Sequence, residues 1–360
     1  MVMQLDDVVL RIHATNVQGM GAQRLLESLI PPLVARLNIN ASVVYGSSVQ
    51  TELFQGLAKE LRISYYKRYL PNSVSRFLEC TLFGFLFNGD GVLLTLGDIP
   101  LRSNSPQVVF VQTPHLFQSP DATTADSLKY RILRWVFKRN LRFADLLIVQ
   151  TDAMSHALLA SYPELENKVK IVCQPAPDWV LNSGLRFKGR NKAEARRGLN
   201  LFYPAAYYHH KNHHLLAKFA EGDGIEIDQL TLTIPAQMNP NPELKWIKCV
   251  GILDQERILT AYEQADALLF LSLEESLGLP LVEAMWIGLP IVCPDLPYAR
   301  CLCGDSAIYF DSDDVRSLVD ALAVLSNRLI SGEYPDWHEA LAKIPKDWEE
   351  VSDRILQHAV

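Results

Sequence analysis

The stretch Glu275-Ser276-Leu277-Gly278-Leu279-Pro280-Leu281-Val282-Glu283, followed by Ala284-Met285 and Gly288-Leu289-Pro290-Ile291-Val292, runs a tight glycine-containing loop straight into a helix. Pro280 falls near the first turn, where N–H groups have no intrahelical partner and proline is tolerated. The unpaired N–H groups of that turn converge in front of the loop and form a place for an anion. Glu275 precedes the loop, and Glu283 lies eight residues later, about one turn into the helix, where its oxygens accept hydrogen bonds from hydroxyls. Amides that donate to phosphate, beside carboxylates that accept from hydroxyls, describe a site for a nucleotide joined to a sugar.

On either side of this stretch, short β-rich runs alternate with helical patterns, the mark of doubly wound α/β domains. In the first half the strand candidates are Val8–Ile12, Ala41–Tyr45, Gly91–Thr95, Val108–Val111 and Leu146–Val149, with helical patterns at Gln23–Leu37 and Met154–Ser161. The second half offers Leu199–Tyr203, Gln229–Ile234, Ile247–Val250, Ala267–Leu271, Pro290–Cys293 and Ala307–Phe310. Each set can fill one parallel sheet. A chain of 360 residues exceeds the usual single domain. The Pro175-Ala176-Pro177 step and the basic stretch Arg186–Arg197 have the composition of a linker.

With its flanking Ser272, Ala284-Met285 and Gly288-x-Pro290, the Glu-x7-Glu pattern resembles the signature of the retaining glycosyltransferases of family 4 (group 1), which have the GT-B fold. The resemblance implies an α/β protein of two Rossmann-like doubly wound domains facing across a cleft: residues 1–185 on the acceptor side, 186–340 binding the donor, and a tail, 341–360, whose helix packs back on the first domain. It implies that Glu275 holds the donor sugar, that Glu283 holds the ribose, and that Ser276, Leu277, Gly278 and Leu279 supply backbone contacts. The donor is then a UDP- or GDP-linked sugar, and the acceptor a hydroxyl of a glycan or lipid-linked glycan. No cofactor and no metal are required.

Three further segments match the family. In Tyr207-Tyr208-His209-His210-Lys211-Asn212-His213-His214, Asn212 is suited to cap a following helix, and Lys211 would stand beside that helix's positive end. The resemblance gives Lys211 the leaving diphosphate. Many members carry an Arg six residues earlier, where this chain has Ala205. His209/His213 and His210/His214 have the i,i+4 spacing of metal ligands, but only if the first of each pair is helical. Gly21, in Gln18-Gly19-Met20-Gly21-Ala22, resembles the family's glycine loop facing the donor phosphates, and His115, in Val111-Gln112-Thr113-Pro114-His115, matches a His contacting the donor sugar near the reacting carbon.

Composition bounds the alternatives. The net charge of −7 argues against a broad nucleic-acid surface. The N-terminus Met1-Val2-Met3-Gln4-Leu5-Asp6-Asp7 has acids where a signal peptide needs bases, and no apolar run approaches the roughly 18–20 residues that span a bilayer, so a cytoplasmic location is expected. Residues 129–142 hold six basic side chains and no acid, with Arg131, Arg134, Lys138 and Arg142 on one stripe and Leu133, Val136, Phe137 and Leu141 on another. Such a helix is either a surface helix with its apolar side in the core or a peripheral contact with the inner face of an anionic membrane. Two rival functions stay open: a catalytically weak nucleotide-sugar-binding partner subunit, for which Ala205 is the best argument, and a GT-B-like sugar-nucleotide epimerase, for which no acid/base constellation is visible.

Overall fold

A computed structural model of the chain describes residues 9–17, 20–36, 41–46, 61–117, 128–190, 198–220 and 224–359. Val8, Gln18, Gly19 and Leu37, named above, lie outside them, as does the stretch 191–197. The chain divides into two compact units, one of Met1–Gln174 with Pro345–Val360, the other of Pro175–Ile344.

The first unit runs β1 (Leu10–Ala14), α1 (Met20–Arg36), β2 (Ala41–Tyr45), β3 (Leu61–Tyr65), α2 (Asn72–Thr81), β4 (Val92–Thr95), β5 (Gln107–Phe110), α3 (Leu128–Asn140), β6 (Leu146–Val149), α4 (Asp152–Ser161) and β7 (Val169–Ile171). Its strands form one sheet in the order β3-β2-β1-β4-β5-β6-β7, every pair parallel. Central strands covered on both faces read as near-continuous apolar runs. Along β5 and just beyond, Val108 and Phe110 enter the core that holds Leu25, Leu29 and Leu33 of α1, while Val109 and Val111 enter the opposite core with Phe137 of α3 and Met154 and Leu158 of α4. Strands β3 and β7, which the sequence reading did not predict, are the two edges of the sheet. With Arg62, Ser64 and Lys170 among few residues, neither shows the apolar run of a covered strand.

The second unit runs α5 (Asp178–Leu181), β8 (Leu199–Tyr203), β9 (Ile227–Leu232), β10 (Ile247–Cys249), α6 (Gln255–Gln264), β11 (Ala267–Leu269), α7 (Leu279–Ile287), β12 (Ile291–Pro294), α8 (Pro297–Cys303), β13 (Ile308–Phe310), α9 (Val315–Ser331) and α10 (His338–Leu341). Its parallel sheet has the order β10-β9-β8-β11-β12-β13, so the winding reverses between β8 and β11. That reversal is where such sheets bind ligands, at the carboxyl ends of the strands. A buried ion pair, Arg190 Nη2 to Asp266 Oδ2 at 2.7 Å, pins the segment ahead of β8 to the start of β11. The last helix, α11 (Trp348–Ala359), belongs to the first unit, where Trp348, Val351, Ile355 and Leu356 share a core with α1 and Arg36 bonds Asp353. Removing the Trp348 side chain from such a position costs about 3–5 kcal/mol.

Candidate functional site

The carboxyl edge of the second sheet is built from two loops strapped together. After β11, the loop begins at Ser272, whose hydroxyl donates to the carbonyl of His210 at 3.2 Å, while Leu273 N donates to the same carbonyl at 2.7 Å. Tyr298, on α8, donates its hydroxyl to the Ser272 carbonyl, and the buried Tyr203, ending β8, donates to the Lys211 carbonyl at 2.8 Å. These bonds hold the segment His209–Lys211 against the loop before α7, and the Lys211 ammonium forms an ion pair with Glu275 Oε1. Both side chains are mostly enclosed, 17% and 13% exposed, and the ammonium lies 6.0 Å from the Phe270 ring centroid. A cation and a carboxylate are thus side by side at the switch point.

The loop turns into α7 through Gly278, at φ +84°, a conformation that L side chains rarely adopt. Leu279 opens the helix and Pro280 follows in its first turn. The N-terminal N–H groups of this helix carry its positive partial charge. Leu277 is buried, anchoring the loop, and Gly288 in the left-handed region ends the helix with its N–H on the Ala284 and Met285 carbonyls. Glu283, fifth in the helix, is buried, and its Oε2 accepts a 2.6 Å hydrogen bond from the buried Tyr262 hydroxyl of α6. Sequence reasoning missed Tyr262, Tyr298 and Tyr203 as supports of the site. No local pattern marks them, because each reaches it from a different element.

The segment after Lys211 departs from expectation. Asn212 does not cap an α-helix: it sits at φ +54°, ψ +28°, between two 3-10 turns, His209–Lys211 and His213–Lys218, closing the first with its backbone N–H on the His209 carbonyl and making no side-chain capping bond to the second. Asn tolerates this left-handed position, and its Nδ2 donates to the Ser312 carbonyl at 2.9 Å. A six-residue 3-10 turn supplies no helix dipole of consequence, so Lys211 acts as a point charge held by the loop bonds. The break at Asn212 also separates His209 and His210 from His213 and His214, which removes the metal-ligand spacing. The buried His213 lies between the rings of Tyr203, 5.0 Å away, and Tyr207, 5.5 Å away, and burial, with Lys211 and His214 nearby, pushes its pKa down to about 4. It therefore adds no positive charge at neutral pH. Ala205 is buried two residues past the end of β8.

Gly21 and His115 belong to the first unit. Gly21 lies in the first turn of α1 rather than in a loop before it. His115 sits in a 3-10 turn, Pro114–Leu116, beyond β5, its ring 4.6 Å from that of Tyr130 on α3. Along α3, Val136 and Phe137 are in the core, while Leu128, Ile132 and Trp135 are exposed. Among the described residues no helix is long and apolar enough to cross a membrane.

Residues 198–328 match the family described as Glycosyl transferases group 1. A curated relative, the O-antigen chain mannosyltransferase B of Escherichia coli, is 32% identical over 73 residues, which is 20% of this chain and 19% of that protein. Over nearly their whole lengths, solved structures share the fold. Sucrose-phosphate synthase from Thermosynechococcus elongatus superposes with a TM-score of 0.68 at 14% identity, covering 97% of this chain and 98% of its own. The Anabaena protein HepE, in complex with UDP and glucose, gives 0.60 at 13% identity with the same coverage. The chain has the GT-B fold, and within it residues 198–328 are similar to the family described as Glycosyl transferases group 1.

Proposed function

We propose that this chain is a glycosyltransferase that moves a sugar from a UDP- or GDP-linked donor to a hydroxyl of a glycan or lipid-linked glycan, with retention of anomeric configuration. The observation that carries the reading is the Lys211–Glu275 pair beside the N-terminus of α7, inside the segment that matches the group 1 family. Glu275 accepts from hydroxyls of the donor sugar, and Glu283, oriented by Tyr262, accepts from the ribose. The bond from the sugar's anomeric carbon to the diphosphate oxygen breaks, and the electron pair leaves with the diphosphate. Lys211 and the N–H groups at residues 276–279 stabilise that charge, so no metal is needed. The acceptor oxygen bonds to the anomeric carbon, and its proton passes to the leaving phosphate.

The test is a panel of UDP- and GDP-sugars incubated with the purified chain, with and without EDTA, and read by mass spectrometry for released nucleotide and glycosylated product. Turnover of one donor that persists in EDTA and disappears in Lys211→Ala supports the proposal. Nucleotide binding without turnover under any acceptor supports the partner-subunit reading, which draws on the missing charge at Ala205.

The acceptor side of the reading places the first unit at an anionic membrane face. Its support is the exposure of Leu128, Ile132 and Trp135 on α3, among Lys129, Arg131, Lys138 and Arg139. Flotation with phosphatidylglycerol vesicles is expected to carry the chain, more weakly after Trp135→Ser. Recovery unchanged between the two, or no flotation, contradicts it.

A further inference from the structure

The carboxyl edge of the first sheet holds a second cluster of charged side chains, assembled from segments that are far apart in sequence. Part of it is closed. Arg68 meets Glu79 through Nε to Oε1 at 2.7 Å and Nη2 to Oε2 at 2.8 Å, with 5% and 1% of the two side chains exposed. The Thr15 hydroxyl donates to Glu79 Oε2 at 2.9 Å, and Arg68 also bonds Asn16, both just past the end of β1. The group is enclosed and its carboxylate is committed.

The neighbouring pair is open. Asp98, just past β4, is one of two non-glycine residues with positive φ among those described, at +66°. Such a backbone costs on the order of 1 kcal/mol and persists where surrounding contacts enforce it. Here they are the N–H groups of Gln112 and Thr113, which donate to Asp98 Oδ1 at 2.6 and 3.1 Å. Oδ2 is 3.6 Å from Arg76 Nη2, longer than a hydrogen bond. Arg76 uses Nη2 on the Gly97 carbonyl at 2.9 Å, while its Nε is buried without a partner. About a fifth of each side chain is exposed, 23% for Arg76 and 18% for Asp98. Gly97 brings the two groups together: a Cβ there would fall 2.8 Å from Asn16 Cβ.

We propose that Asp98 and Arg76 form a binding site for the hydroxyls of a neutral sugar, Asp98 Oδ2 accepting and the Arg76 guanidinium donating. Taken as the acceptor's site, it rests on the transferase reading above. The geometry fixes one carboxylate oxygen on backbone and leaves the other outside hydrogen-bond reach of its cation, so a vicinal diol can bridge the pair. Charge selects the class of ligand. Two arginines, Arg68 and Arg76, face two carboxylates, Glu79 and Asp98, and a site balanced in this way has no surplus charge for a phosphate. The sheet order supports the location, because the winding reverses between β1 and β4.

The experiment uses the full chain and saturation-transfer NMR with methyl α-glucopyranoside, methyl α-mannopyranoside and the corresponding free 6-phosphates, with UDP and GDP titrated separately. At least one methyl glycoside is expected to bind, the 6-phosphates no tighter. Asp98→Asn and Arg76→Gln should each weaken that glycoside tenfold or more and leave nucleotide binding unchanged. Asp98→Asn, which tolerates the left-handed backbone and whose amide oxygen can still accept from Gln112 and Thr113, should do so while keeping the unfolding midpoint near that of the parent. Absence of glycoside binding, binding unchanged in the variants, or tighter binding of a 6-phosphate overturns the proposal. Failure of UDP and GDP to bind the parent chain would instead count against the transferase reading, and the glycoside result is read independently of it.

Discussion

The two units place similar devices at the carboxyl edges of their sheets, and they encode them differently. Among the described residues each edge has one non-glycine residue in the left-handed region, Asp98 past β4 and Asn212 past β8, and each has an enclosed pair of opposite charges nearby, Arg68–Glu79 in the first unit and Lys211–Glu275 in the second. In the second unit the pair and its loop come from two short stretches, 209–212 and 272–283. In the first, the corresponding groups come from residues 13–16, 68, 76–79, 97–98 and 112–115. A motif is readable when the chemistry is local in sequence, and a site of equal density spread over five segments leaves no motif.

This contrast can be broken most forcefully at Glu79. If the Arg68–Glu79 pair holds the first unit's edge together, Glu79→Ala leaves a buried, unpaired guanidinium and costs about 3–5 kcal/mol in urea unfolding. A cost below about 1 kcal/mol would mean that this edge is as open as the pair beside it. The second unit's pair should behave in the opposite way. Lys211→Ala is expected to lower turnover on the order of a hundredfold, the loss typical of a group that stabilises developing negative charge, with little change in unfolding midpoint. Within the same site, Glu283→Gln should weaken donor binding yet fold normally, because the amide oxygen can still accept from Tyr262, whereas Glu283→Ala should lose about 1–3 kcal/mol of stability as well.

A smaller effect sharpens what the two edges share. Each carries a buried neutral histidine. Burial, reinforced by Arg68 and Arg76, pushes the His13 pKa down to about 3, and burial with Lys211 and His214 brings His213 to about 4. The unfolded chain takes up these protons below about pH 6.5 while the native chain does not, so stability is full above that pH and falls as pH drops towards 4. Each histidine contributes a slope of up to about 1.4 kcal/mol per pH unit in that window. Unfolding midpoints between pH 7 and 5 check it: His213→Phe, which keeps a ring between Tyr203 and Tyr207, should flatten part of the slope, and an unchanged slope would remove His213 from the account.

Much of the fold was legible because strands covered on both faces are mostly apolar, so β2, β6 and β8 could be delimited from sequence to the residue. The edge strands β3 and β7 were not, since one-sided burial and three to five residues leave little pattern. At the site, the positions of Glu275, Gly278, Pro280 and Glu283 followed from the helix start they define. The 3-10 geometry around Asn212 did not, because an Asn before an apolar run reads as a cap whether its backbone is extended or left-handed. The tyrosines behind the site were invisible for the same reason as Arg68, Arg76, Glu79 and Asp98 of the first unit: they meet their partners only through tertiary packing.

On the proposed function, the loop before α7, with Lys211 held against Glu275, grips a nucleoside diphosphate. Isothermal titration of UDP and GDP into the parent chain and into Lys211→Ala tests it most directly. Saturable binding of one nucleotide that is lost or weakened at least tenfold in the variant is the predicted result. Binding of neither nucleotide to the parent, or equal binding to both proteins, would contradict it.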